Sequence, residues 1–290
     1  MKVLSLSSRT PKDGQCQIRR ARNDDWLAIE KLLTFADRQY LALEWWSIQE
    51  WLGSSTFLLA TDVQSRPVGL MLSIASDGPI AWLRAINTVS EEYLLPLLQA
   101  NFQAVLAQGG TGLAFLGNEA WIVSRLEQAG FREVNQVVTL RCRGSWPACQ
   151  GPHELQVRSV TLSDIDAVLA VDHAAFAPMW WYGREILLRA LNMDCVFDAA
   201  YLKGQCVGYQ LSTLRNGRGH IVRLAAHPHW QAQGIGGRLL SEAMRTLDAA
   251  KSESVTVNTQ ADNLASLQLY RRFSFQPVGT QWAVWFRSLA

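Results

Sequence analysis

No part of this chain approaches the roughly 20 consecutive apolar residues that a membrane helix needs. Its first residues, MKVLSLSSRTPKDG, hold no apolar stretch of signal-peptide length. The expectation is a cytoplasmic protein with no membrane partner. Charge of one sign is equally scarce, since 27 basic residues against 25 acidic ones leave a net charge of +2. That gives no general electrostatic case for nucleic acid or anionic lipid. The five cysteines, Cys16, Cys142, Cys149, Cys195 and Cys206, stand in no C-x-x-C pair. No disulfide framework or zinc site follows from them, and no metal is expected. Nor does the chain contain the G-K-[ST] of a P-loop.

What it has in abundance is length and tryptophan. At 290 residues it exceeds a comfortable single core, so two domains are expected, and its 12 indoles suit core or cleft walls. The clearest break is GSWPACQGPH, Gly144 to His153, where prolines and glycines separate two alternating runs. The expected division is 1–145, a linker at 146–153, and 154–290. The second part reads strand (ELQVRSV), helix (SDIDAVLAVDHAAF, capped by Thr161 or Ser163), shorter helix (YGREILLRALN), and a hairpin of CVFDAAYLK and CVGYQLSTL. HIVRLAAHP follows as a strand, then a helix from Gly234, the strand SVTVNTQ, the helix NLASLQLYRRF and the strand QWAVWFRSL. The first part repeats this order from QIRRAR to VNQVVTLRCR, an internal duplication with a period near half the chain. Both parts read as α/β (α+β), each a mixed, mostly antiparallel sheet flanked by helices.

Gly234, Gly236 and Gly237 crowd the entrance of one helix. Each glycine costs a helix roughly 1 kcal/mol relative to alanine, so the position needs a reason. A strand stopped by Pro228, a glycine turn and a helix N-terminus together make an anion site. First-turn amides lack intrahelical partners there, and glycine lets them approach an oxygen closely. Gln231, Gln233, Gly234, Ile235 and Gly236 thus read as a pyrophosphate cradle, with Gly237 beside it and Arg238 adding charge. Close helix-on-sheet packing is the alternative reason for the same glycines. The spacing does not fit a dinucleotide fingerprint, because the third glycine is misplaced and a hairpin precedes it.

The pattern Q-x-x-G-x-G after a strand ending in HP resembles the acetyl-CoA motif of the GNAT superfamily of N-acetyltransferases. The block from Asn263 through Tyr270 to Phe275 resembles the family's N-x-x-A-x-x-L-Y-x-x-x-G-F helix, with Ser266 for the usual Ala and Ser274 for the usual Gly. The resemblance is strong over 154–290. Over 16–143 it rests on element order and the EQAGF ending. After AWLRAIN no glycine occurs until Gly109, the stretch SEEYLLPLL is acidic and bulky, and Leu126 stands where the second copy has Tyr270. The resemblance therefore implies a tandem protein whose N-terminal copy is degenerate and whose C-terminal copy uses acetyl-CoA.

It also implies roles. Pantetheine would pair along the backbone of Leu224, Ala225 and Ala226, and the residues of the glycine turn would hold the pyrophosphate. Tyr270 would protonate the leaving thiolate, as a phenol with an ordinary pKa near 10 can. Asn263 would touch the cofactor or merely cap its helix. His220 stands where many members place a glutamate, eight residues before Pro228; it is either the general base or a hydrogen-bonded structural histidine. Trp180, Trp181 and Tyr182 fall where the family lines its acceptor cleft, and would form an aromatic wall or anchor the two copies together. Arg223 would meet an acceptor carboxylate or else form an ion pair. Asn258 stands where protein N-terminal acetyltransferases of the family carry a glutamate, which turns the reading toward a small-molecule primary amine. A protein N-terminus is the alternative acceptor, and a non-catalytic acyl-CoA sensor the alternative function. The oligomeric state is not legible.

Overall fold

The computed structural model describes residues 16–43, 45–149 and 151–289; the N-terminal stretch read above for targeting and Gln150 of the expected linker lie outside them. The first half runs β1 (Gln17–Arg20), α1 (Trp26–Phe35), β2 (Arg38–Leu41), β3 (Phe57–Thr61), β4 (Pro67–Ala75), β5 (Ile80–Thr88), α2 (Leu94–Ala107), β6 (Gly112–Leu116), α3 (Ala120–Gln128) and β7 (Arg132–Cys142). The second runs β8 (Gln156–Ser159), α4 (Ile165–Ala175), α5 (Arg184–Leu191), β9 (Cys195–Leu202), β10 (Gln205–Arg215), β11 (Arg218–Ala226), α6 (Ile235–Ala249), β12 (Ser254–Gln260), α7 (Leu264–Arg272), β13 (Gln276–Pro277) and β14 (Trp282–Ser288). Between β7 and β8 no described residue belongs to a helix or strand.

The duplication is visible in individual contacts. In β1, Arg19 makes a two-pronged ion pair with Asp25 at 2.7 and 2.6 Å; in β8, Arg158 does the same with Asp164 at 2.8 and 2.7 Å. Each aspartate also accepts the amide N–H three residues before it, from Arg22 and Thr161 respectively. Both thus start the first helix of their half by the same device. The arginine hydrogen bonds hold both carboxyls below the usual carboxylate range.

The two sheets are not separate. They join in one 14-stranded sheet through an exchange of strands that the expected division at 146–153 does not foresee. β14, the last strand of the C-terminal half, inserts between β6 and the first part of β7. The second part of β7 inserts between β12 and β13. The cores are exchanged accordingly. Ala283 and Trp285 of β14 pack in the N-terminal core with Leu113, Phe115 and Leu126, whereas Leu140 and Cys142 of β7 pack in the C-terminal core with Val257, Tyr270 and Phe275. The sequence pattern could not reveal this, because alternation specifies which face of a strand is buried and not which neighbour it pairs with.

α6 follows its pattern. The expected Leu239, Leu240, Met244 and Leu247 are buried, and Gly208 on β10 leaves no room for a Cβ beneath Ile235 and Leu239.

Candidate functional site

β11 and β12 run parallel and paired from Arg218 to Ile221, then diverge. From Val222 onward β11 keeps β10 on one edge, through Leu224, Ala225 and Ala226, while β12 no longer pairs with the other edge. The divergence opens toward the N-terminus of α6. There Gly234 adopts φ +83°, a left-handed cap that favours glycine, and its first-turn neighbours Ile235, Gly236 and Gly237 find no hydrogen-bond acceptor for their amides among the described residues. A Cβ on Gly236 would meet only Leu269 at 3.4 Å, so helix packing does not require glycine at that position. The Gly237 position is different, because a Cβ would approach the Cys149 sulfur at 2.8 Å; packing against the linker explains that glycine. The free amides and the open edge suit a pyrophosphate followed by an extended pantetheine arm.

Other residues expected at the cradle have local tasks. Gln231 donates to the Ala226 carbonyl at 3.2 Å and Gln233 to the His229 carbonyl at 3.4 Å, so both brace the turn. Arg238 is paired with Glu242 one turn along α6 at 2.7 Å, which neutralises the charge expected to reach the phosphate. Asn263 caps α7 by accepting the Ser266 amide at 3.1 Å, and its side of the helix also lines the cleft.

The open edge leads into a cleft of about 480 Å³ that brings most of the expected site residues together: His220, Leu224, Asn263 and Tyr270 share it with Trp180, Trp181 and Tyr182. Tyr270 is buried on α7, its hydroxyl has no hydrogen-bond partner among the described residues, and burial pushes its phenol above the ordinary value. It therefore stays protonated through the neutral range. On β11, His220 Nδ1 lies 2.9 Å from Thr256 Oγ1, and that hydroxyl donates to the Gly219 carbonyl. A hydroxyl has one proton to give; with that proton on the Gly219 carbonyl, Nδ1 is the donor and Nε2 the basic nitrogen of the neutral ring.

Arg223 does not offer itself to a ligand. Its side chain is 9% exposed; Nε donates to Asp172, which is fully buried, and Nη2 to the Trp180 carbonyl. Its guanidinium lies between the rings of Phe176 and Tyr182, at 3.5 and 4.1 Å from their centroids. Burial disfavours the charge, but Tyr209 and Asp172 outweigh it and hold the guanidinium protonated. Asp172 also accepts the Tyr209 hydroxyl and the Tyr182 amide. Of the two expected fates, the structure shows the ion pair, here a buried brace that holds the aromatic loop in place.

That loop also fulfils its alternative role as an anchor. Trp82 Nε1 on β5 donates to the Met179 carbonyl at 2.7 Å, and a Cβ on Gly78 would lie 2.3 Å from the Pro178 carbonyl oxygen. The N-terminal half therefore meets the loop directly, and it supplies Leu43, Trp45, Trp46 and Trp82 to the same cleft. The sequence reading missed these residues and also Thr213, Arg215 and Gln260. The abundance of tryptophan was the one available signal for the first group.

Among the described residues no cluster of three or more His, Cys, Asp or Glu is disposed to hold a metal, and no helix is long and apolar enough to cross a membrane.

Residues 166–275 match the family model described as the acetyltransferase (GNAT) family. An N-alpha-acetyltransferase from Sulfolobus acidocaldarius is 26% identical over 139 residues, covering 42% of this chain and 80% of the relative. A mycothiol acetyltransferase from Clavibacter michiganensis subsp. michiganensis is 30% identical over 135 residues, 43% of this chain and 44% of that protein's length. A solved tandem GNAT protein from the clavulanic acid biosynthesis pathway superposes with a TM-score of 0.61 over 95% of this chain and 99% of its own, at 11% identity. This last likeness is one of fold.

Proposed function

We propose, from the match of residues 166–275 to the GNAT acetyltransferase family, that the protein moves an acetyl group from acetyl-CoA to the primary amine of a small molecule by direct attack. One observation carries the reading: a single cleft joins the open edge of β11 to His220, Tyr270 and an aromatic wall. Acetyl-CoA, when bound, supplies an acetyl group on a thioester. The amides of Ile235, Gly236 and Gly237 hold its pyrophosphate, and the backbone of Leu224, Ala225 and Ala226 pairs with its arm. His220 takes the ammonium proton at Nε2, directly or through water, and frees the lone pair that attacks. The C–N bond would form and the C–S bond break, Tyr270 giving its phenolic proton to the departing sulfur; the second proton of the attacking nitrogen, lost as it becomes an amide, would return to the phenolate through water. Trp180, Trp181 and Tyr182 line the acceptor side.

Release of CoA thiol from acetyl-CoA with a panel of small amines and short peptides tests this. Turnover with small amines is the expected result. Turnover confined to peptides would favour acetylation of a protein N-terminus, a second reading that draws on the similarity to the Sulfolobus N-alpha-acetyltransferase over 80% of its length. Acetyl-CoA binding with no thiol release across the panel would make the protein a sensor.

A further inference from the structure

We propose that the N-terminal half has exchanged cofactor binding for acceptor selection, and that the acceptor it selects is a primary amine carried on a flat, apolar body. The proposal rests on reading the cleft as an acetyl-transfer site.

The two halves can be compared strand by strand. β5 and β6 pair in parallel from Ile80 to Trp82 and then diverge, as β11 and β12 do from Ile221. The edge left open on β11 is occupied on β5. β2 pairs antiparallel with it, Arg38 opposite Thr88 through Leu41 opposite Ala85. Tyr40 fastens β2 across the divergence: its hydroxyl donates to the Leu116 carbonyl of β6 at 2.9 Å and its ring packs on Phe115. At the helix entrance that follows, where the other half has its glycines, Glu91 is paired with Arg38 and Arg125. This half has thus filled its own slot with its own strand and put a carboxylate where a phosphate would sit.

The strand in the slot leads straight into the other half's cleft. The Ala42 amide donates to the Arg84 carbonyl at 2.7 Å and continues the register, and the chain then presents Leu43, Trp45 and Trp46 as cleft lining. Trp45 packs against the C-terminal core group that includes Leu187, Phe197 and Tyr209, as do Phe176, Tyr182 and Val222. Trp46 carries the Arg189 guanidinium at 4.1 Å from its ring, and Arg189 forms a two-pronged pair with Glu50 at 2.7 and 3.0 Å. The loop is therefore fixed at both tryptophans.

The aromatic part of the lining, which stands beside polar residues such as Thr213, Arg215 and Gln260, carries the inference. The indole N–H groups of Trp82 and Trp181 are turned into the carbonyls of Met179 and Phe176, so their polar edges are already engaged. Trp82 and Trp180 stand 4.9 Å apart at 43°. Ring surfaces of this kind favour stacked or edge-on contact with another flat, apolar group. His220 and Tyr270 open into the same cleft and would receive the amine end.

The test uses the full chain, with 2-phenylethylamine and glucosamine as acceptor probes, acetyl-CoA affinity by calorimetry and turnover by thiol release. The expected results are a KM for phenylethylamine at least ten-fold below that for glucosamine, and a further ten-fold or greater rise in that KM in Trp45→Ala. kcat and acetyl-CoA affinity should change little, and Trp45→Phe should recover most of the loss. Should Trp45→Ala fail to fold, Tyr40→Phe carries the test, with a several-fold rise in acceptor KM at unchanged acetyl-CoA affinity. Preference for the amino sugar, or an acceptor KM indifferent to these changes, would overturn this proposal and leave the transferase reading standing. No thiol release with any amine would overturn both.

Discussion

In the proposed reaction Tyr270 and His220 act on opposite ends, and this gives their variants opposite responses to pH. Tyr270→Phe removes one hydroxyl that has no hydrogen-bond partner among the described residues, so packing and acetyl-CoA affinity should persist. If the phenol protonates the thiolate, turnover should fall by roughly 10²–10⁴-fold at every pH from 6 to 9. Burial raises its pKa, so the neutral, donating form persists above the pH at which an ordinary phenol ionises; the alkaline limb of the wild-type profile should not come from this group. His220→Gln should instead flatten the acidic limb and regain activity at high pH, where the free amine is abundant. A His220→Gln profile that matches wild type would assign the proton to another carrier. Both residues could be singled out in the sequence because each sits at a fixed distance from a motif, and the structure brings both to one cleft. For Arg223 the sequence left two fates open, an acceptor carboxylate or an ion pair: its partner Asp172 lies 51 residues away, and nothing in the local letters distinguishes an arginine facing a ligand from one sealed against a buried carboxylate. Arg238 differs again, since Glu242 lies one helical turn on and its i,i+4 spacing was there to be read.

At the scale of the element, the α6 entrance separates two reasons for glycine that the sequence had left open. Gly236 has space around it and an ordinary φ, so Gly236→Val adds a branched side chain without backbone strain or a serious clash inside the fold. The valine would obstruct close approach of an anion to the first-turn amides. The expected result is a drop in acetyl-CoA affinity of at least about ten-fold, roughly 1.4 kcal/mol, with a melting temperature near wild type. Unchanged affinity in the folded variant would return this glycine to a packing role. The same stretch shows what periodicity can and cannot convey. The buried positions of α6 followed from 3.6-residue spacing, whereas β2, only Arg38–Leu41, was too short and too polar to be read as a strand. It is a strand because the open edge of β5 gives its backbone groups partners, and that edge exists only once the sheet has formed.

Taken as a whole, the molecule is a duplication whose copies no longer stand apart. A fragment of 146–290 would lose β7, exposing the edge of β12 and the core around Leu140 and Cys142, and would leave β14 without β6 or β7 to pair with. An open strand edge beside an uncovered core favours aggregation. Apart from the short strands β2 and β13, the element order of both halves was readable in the sequence, but the exchange was not, since it depends on which of two similar edges each last strand meets. The prediction is that neither 1–145 nor 146–290 alone gives a cooperative unfolding transition or binds acetyl-CoA, and that the two expressed together form a one-to-one complex. That complex and the intact chain should each bind one acetyl-CoA by calorimetry, because β2 and Glu91 occupy the second slot and its entrance. A fragment of 146–290 that folds and binds acetyl-CoA with the affinity of the intact chain would show that the exchanged strands are dispensable. A stoichiometry of two would show that β2 yields its place to the cofactor.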